Sequence, residues 1–211
     1  MANDDFHVEP VEGLPELPPE GEVILWQGRP SWWALATQSL NLYWIMGYFI
    51  LLGAWRSVVL AETRDVATSI AGSVPFLVLG LIACALLALI ALVQARSTVY
   101  TITNRRVAMR IGAALTVTLN LPYRWISSVD LDLRRNGVGT IALRLGDDGY
   151  TKLSYLTCWP HVRPWKMNPV QPALRCIKDA DRVAAILGDA ARMNITTSDQ
   201  PSASMGTVAA E

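Results

Sequence analysis

Two long stretches without a charged residue limit what this chain can fold into. No Asp, Glu, Lys or Arg lies between Arg29 and Arg56, and none lies between Val66 and Ala95. A helix needs ~20 apolar residues to cross a hydrocarbon layer ~30 Å thick. Both windows are long enough. The first is apolar from Leu40 onward, since Thr37, Gln38, Ser39 and Asn41 are polar. Trp32, Trp33 and Trp55 lie near its ends, where amphipathic rings prefer the headgroup level. The second is richest in apolar residues over 74–93, with Pro75 in its first turn, where proline is tolerated. The expectation is a membrane hairpin over residues 31–95, with helices at about 40–59 and 73–95. Buried core helices are the competing reading, but windows of this length have few globular explanations.

Neither uncharged window contains a His, Asp, Glu, Lys or Arg. A proton relay, an ion path or a histidine holding pigment inside the membrane would need one. Gly80, Cys84 and Ala88 recur every four residues along the second span, a small-residue stripe of the kind that lets helices approach closely in lipid. Lys and Arg set orientation. Five of them (Arg29, Arg96, Arg105, Arg106 and Arg110) flank the terminal side, against Arg56 and Arg64 in the connecting loop. Both termini are therefore expected in the cytoplasm.

Outside the hairpin the charge is uneven. Residues 1–29 hold seven acidic groups and one basic group, whereas the chain from Arg96 holds fifteen Lys/Arg against nine Asp/Glu. The acidic, Pro-rich stretch 1–30 is expected to be a tail carrying one short apolar motif, residues 22–30, as a strand or an interfacial segment, with addition to the sheet domain as a further possibility. It lacks the basic start and short apolar core of a secretory signal. Cys84, Cys158 and Cys176 are too few and too scattered for a disulfide framework.

After Arg96 the hydrophobic period changes from helical to alternating. Residues 98–103, 107–111, 115–121, 129–133 and 141–145 read as short strands, with Leu153 and Tyr155 as a sixth and Leu174–Ile177 as a seventh. Ala180, Val183, Ala184, Leu187 and Ala191 then mark one face of a helix behind an Asp179 N-cap. The expected fold is a membrane α-helical hairpin plus an α+β domain over 96–193. That domain would be a curled antiparallel sheet of about seven strands closed by a C-terminal helix, with 194–211 a disordered tail.

The run Tyr100-Thr101-Ile102-Thr103-Asn104-Arg105-Arg106-Val107, with Ile126-Ser127-Ser128-Val129 and Gly139-Thr140-Ile141, resembles bacterial pleckstrin-homology-like domains found beside membrane hairpins. Residues 21–32 (Gly-Glu-Val-Ile-Leu-Trp-Gln-Gly-Arg-Pro-Ser-Trp) resemble the opening of the PuhB family of photosynthetic-complex assembly proteins. So do residues 157–165 (Thr-Cys-Trp-Pro-His-Val-Arg-Pro-Trp) and 172–180. That resemblance covers about residues 8–192. It implies assembly of the reaction centre with its core light-harvesting complex in a purple phototroph. The implied partners are those subunits or their assembly intermediates, together with the bilayer, in a bacterial inner (intracytoplasmic photosynthetic) membrane. No nucleic acid is expected, and self-association is left open. The alternative is a generic membrane-anchored lipid- or protein-binding module unrelated to photosynthesis.

No phosphate loop, paired-carboxylate signature or nucleophile elbow occurs, so no catalytic residue, cofactor or enzymatic activity is expected. Cys158-x-x-His161 with Cys176 offers three metal ligands and no fourth, so no metal is expected either. Aromatic and Arg anchors on stiff backbone dominate protein interfaces. Trp159, Pro160, His161, Arg163 and Trp165 are therefore the main partner-binding candidates, with Trp26 and Arg29 in the N-terminal motif. The competing reading for the two loop tryptophans is that they cover the sheet's end or lie on the membrane interface. Arg105, Arg106 and Arg110 are candidates for contact with anionic headgroups.

Overall fold

A computed structural model describes residues 13–14, 16–112, 116–134, 136–146 and 153–198, with side chains to residue 194. Strand β1 (Ile24–Gly28) leads into a short helix α1 (Trp32–Ala34) that continues as one π-helical turn, Leu35–Ser39. Asn41, left-handed at φ 54°, separates that turn from helix α2 (Leu42–Ala61). Asn adopts this conformation more readily than most residues. Helix α3 (Val66–Ala71) is capped by Asp65, whose carboxylate accepts from the Thr68 N–H at 3.1 Å and the Thr68 hydroxyl at 2.7 Å. Helix α4 (Val74–Ser97) returns antiparallel to α2.

At ~1.5 Å rise per residue, the 20 residues of α2 and the 24 of α4 extend about 30 and 36 Å. Both are long and apolar enough to cross a membrane. Their side chains are mostly exposed; Trp44, Leu51, Trp55 and Leu81 all stand clear of the rest of the chain. That exposure separates them from core helices, which bury their apolar surface.

Thr98 alone joins α4 to strand β2 (Val99–Thr103). Strands β3 (Arg106–Ile111) and β4 (Val117–Pro122) extend an antiparallel sheet ordered β1-β2-β3-β4. A 3-10 turn, Tyr123–Trp125, leads to a second sheet ordered β5-β6-β7, built from Ile126–Leu133, Gly139–Leu145 and Ala173–Ile177. Helix α5 (Tyr155–Cys158) precedes β7, and helix α6 (Ala180–Ser198) follows it. Tyr100, Ile102, Met109, Ile141, Leu143, Leu174 and Ile177 form the main core. Helix α6 adds Ala180, Val183, Leu187 and Ala190, against β5 and β6.

Several expectations need correction. Leu153 and Tyr155 form no strand, and Tyr155 opens α5. The seventh strand is β1, which pairs antiparallel with β2. The N-terminal motif is therefore part of the domain rather than of a tail. The Asn104 side chain donates to the Gly21 carbonyl and accepts from the Val23 N–H, while Arg106 pairs with Glu22 at 2.9 Å. Even Leu14 is buried. Helix α6 runs on to Ser198, past the expected start of a disordered tail at 194. The expected disorder of 1–12 and 199–211 lies outside the described residues. In β5, the edge strand of its sheet, Val129, Leu131 and Leu133 are exposed, while Ser128 and Asp130 are half-buried.

The expected small-residue stripe is buried only at Gly80, while Cys84 and Ala88 are half-buried. A Cβ on Gly80 would lie 2.6 Å from the Phe49 Cβ, so glycine sets the spacing between α2 and α4. Gly47, on α2, has nothing within 4 Å. Gly80→Ala should therefore lower stability in detergent by about 1–3 kcal/mol, because the helices must separate. Gly47→Ala should raise it by up to about 1 kcal/mol through helix propensity. Thermal unfolding of both full-length variants checks the contrast.

Candidate functional site

The segment from Trp159 to Trp165 is held against the base of the hairpin by a buried polar knot. His161 is fully buried. Its Nε2 lies 3.1 Å from the Thr98 hydroxyl and its Nδ1 2.6 Å from the Tyr100 hydroxyl. The Arg175 N–H donates to the same Tyr100 oxygen at 3.2 Å. A phenol that accepts there keeps its own proton for the imidazole. This makes Nδ1 the acceptor and leaves Nε2–H to donate to the Thr98 hydroxyl, an assignment that engages both ring nitrogens.

Backbone bonds tie down the flanks. The His161 carbonyl accepts from the Ala173 N–H at 2.9 Å, and the Gln171 carbonyl accepts from the Arg163 N–H at 2.9 Å. The Arg175 guanidinium is also buried, donating to the Pro160 carbonyl at 3.3 Å and the Gln38 carbonyl at 3.5 Å. Through Gln38 the knot reaches the π turn that precedes α2. There a second core, Leu35, Ala36, Leu40, Ala91, Ala95, Val138 and Cys176, locks the hairpin to the sheets.

Burial dominates the electrostatics. It pushes the His161 imidazole down to about 3, helped by the nearby Arg175 charge, and it raises the Tyr100 phenol. It also lowers Arg175 and raises the Cys158 and Cys176 thiols. His161 is thus a neutral structural group with both ring nitrogens engaged. Among the described residues no three His, Cys, Asp or Glu side chains are grouped as a metal set.

The sequence candidates consequently separate. His161 and Pro160 are buried, and Trp26 is half-buried against the main core, so all three hold the fold together. Arg163 is engaged with Asp130 at 2.6 Å and Gln171 at 3.2 Å. Trp159 and Trp165 point outward, Trp165 being 91% exposed at a left-handed φ of 61°. Leu156 and Met167 of the same segment are exposed too. These apolar side chains are what the segment presents to its surroundings. The His161 bond to Thr98, the residue that ends α4, fixes it at the mouth of the hairpin.

The arginines are redistributed by the strand register. Arg105 and Arg106 sit at the β2–β3 turn, beyond the five residues of β2 and so at least ~13 Å of strand from the end of α4. Sequence distance from the hairpin misplaces them. Arg110 returns to that end, opposite Val99. Arg29 shares a cavity with Arg96 and Lys178. Sequence reasoning gave Lys178 no role, because it meets the other two only through folding.

The chain matches the bacterial PH domain family over residues 47–191, from within α2 into α6. It is 42% identical over 197 residues to an uncharacterized 23.7 kDa protein in the puhA 5′ region of Rhodobacter capsulatus, covering 92% of this chain and 91% of that relative. No solved structure matches.

Neutral His161 makes stability dependent on pH. The unfolded chain protonates the imidazole below its ordinary 6.5, while the folded chain resists until about 3. Its contribution is therefore complete above 6.5 and is lost as pH falls from 6.5 towards 3. His161→Phe should cost about 1–3 kcal/mol at neutral pH by leaving the buried Thr98 hydroxyl without a partner and the Tyr100 proton without its acceptor. It should also flatten stability across that acidic window. Melting temperatures of the detergent-solubilised chain against pH test both effects.

Proposed function

The chain belongs to the bacterial PH domain family, and from that premise we propose that it is a non-enzymatic membrane assembly factor. Its clients would be the reaction centre and core light-harvesting subunits of a phototrophic bacterium, or their assembly intermediates. The observation that carries the photosynthetic part is the full-length relative encoded in the puhA 5′ region, a photosynthesis-gene context. A fold alone would not supply it.

The rest of the reading is physical. Helices α2 and α4 expose apolar side chains over lengths that match a bilayer, which supports a two-span anchor in the inner membrane. The Lys/Arg bias supports placing the sheets and both termini in the cytoplasm. The polar knot then holds Trp159 and Trp165 at headgroup level, beside any membrane subunit that docks against the hairpin. Rigid aromatic side chains lose little entropy on binding and suit that role.

Deleting the gene in a phototroph should lower reaction-centre absorbance, and the wild-type gene should restore it. A Trp159→Ala/Trp165→Ala chain should reach normal abundance and restore it poorly. Undiminished absorbance after deletion would contradict the proposal and favour a membrane-anchored PH module with another task.

A further inference from the structure

The outer face of the second sheet carries a cavity of about 450 Å³ that a buried cation helps to line. Strand register puts it there. Leu174 stands opposite Ile141 in the main core, so Arg175, the next residue of β7, turns to the other side. Asp130, opposite Ala142, and Asp132, opposite Thr140, share that outer side. Arg163 crosses from the Trp159–Trp165 segment to pair with Asp130 at 2.6 Å, and Arg134, just after β5, completes the charged lining.

Arg175 is the unusual member. It is only 8% exposed, yet among the described residues no carboxylate pairs with it. Its guanidinium donates only to two carbonyls, those of Pro160 and Gln38, and its Nε–H has no acceptor within the chain. Burial lowers its pKa from the ordinary value, and the nearby Arg134 charge lowers it further. A buried guanidinium without a counter-charge, and with an N–H unshared, is costly, and an acceptor entering the cavity relieves both costs. The three arginines and two aspartates that line the cavity leave one positive charge, which one monoanion balances. A phospholipid carries that charge too, but its acyl chains would find only Leu131, Ala142 and Pro164 as apolar wall. A polypeptide carboxylate needs no such wall.

We propose that this cavity binds one carboxylate of a partner polypeptide, an Asp or Glu side chain or a chain terminus, through Arg175 and Arg134. The site rests on the client reading of the Trp159–Trp165 segment and deepens it. Arg163 and Pro164 of that segment line the cavity, and the exposed Trp165 comes next in the chain. A client segment lying on Trp165 brings a neighbouring acidic residue within reach of the cavity. The planar fork of a guanidinium matches a carboxylate, so the pair selects for a sequence that sets an acidic residue beside an apolar one.

The full-length chain in detergent is titrated with synthetic peptides covering the cytoplasmic segments of reaction-centre and core light-harvesting polypeptides. The same peptides with every carboxylate converted to an amide serve as the second probe, and fluorescence anisotropy reads affinity. At least one acidic peptide should bind, and amidation should weaken it about tenfold. Arg134→Gln should weaken the acidic peptide by a similar factor, while the exposed control Arg182→Gln should not. Arg175→Lys keeps the charge, loses the fork and should weaken binding as well. Arg134 is exposed, so its variant decides the matter even where Arg175→Lys does not fold. Equal binding of acidic and amidated peptides, or equal weakening by Arg134→Gln and Arg182→Gln, would overturn the site. Selective retention of phosphatidylglycerol over phosphatidylcholine that Arg134→Gln abolishes would make the anion a lipid and overturn the polypeptide assignment. Peptides that bind through Trp159 and Trp165 whatever their charge defeat the carboxylate site alone. Absence of binding by every peptide overturns the site, and undiminished reaction-centre absorbance after gene deletion overturns the client reading beneath it.

Discussion

Thr98 is the one residue between the last turn of α4 and the first residue of β2, and His161 holds its hydroxyl. With no flexible loop at this junction, the direction of the apolar helix sets the direction of the sheet. The imidazole bridges Thr98 to Tyr100, and Tyr100 in turn accepts from β7 through the Arg175 N–H. One buried, neutral side chain thus links the hairpin, the first sheet and the second. Without the ring, the Thr98 hydroxyl would lose its partner and the Tyr100 hydroxyl proton its acceptor, at a cost of about 1–3 kcal/mol. Charging the ring would place a cation beside Arg175. The knot therefore has one favourable protonation state, and the surrounding geometry depends on it.

The second core extends the same coupling through apolar contact. Ala91 and Ala95 on α4 are small enough for Ala34, Leu35 and Ala36 to approach, while Val138 and Cys176 reach across from the sheets. Close packing of this kind transmits displacement rather than absorbing it. Gly80 performs the corresponding task within the hairpin by letting Phe49 approach α4. A client pressing on α2 or α4 would thus meet a body continuous with the sheets, and the exposed aromatic pair at its mouth would move with it.

The parts of this arrangement legible in the sequence were those with a periodic or compositional signature. The two uncharged windows gave α2 and α4 to within a few residues, because lipid-length apolar runs are rare. Alternation in residues 98–103, 107–111 and 141–145 gave β2, β3 and β6, since each buries one face or both. What stayed hidden depended on long-range pairing. Residues 24–28 read as a short strand that could add to the sheet domain, but nothing in their pattern names β2, more than seventy positions later, as the partner. His161 looks equally suited to a surface hot spot and to a buried bridge until Thr98 and Tyr100 are brought beside it. Arg105 and Arg106 are near the hairpin in sequence and remote from it in register. Lys178, Arg29 and Arg96 show the opposite relation. Short range along the chain was a poor guide to distance from the hairpin wherever a strand intervened.

The most direct measurement is site-specific photo-crosslinking from position 165 in membranes of a phototroph assembling its photosynthetic apparatus. A photoreactive residue in place of Trp165 keeps the knot intact, since this side chain is exposed and lies outside it. The account expects adducts with reaction-centre or light-harvesting polypeptides that appear during assembly and fade once the complexes mature. Adducts confined to lipid, or unchanged whether or not those polypeptides are being made, would contradict it.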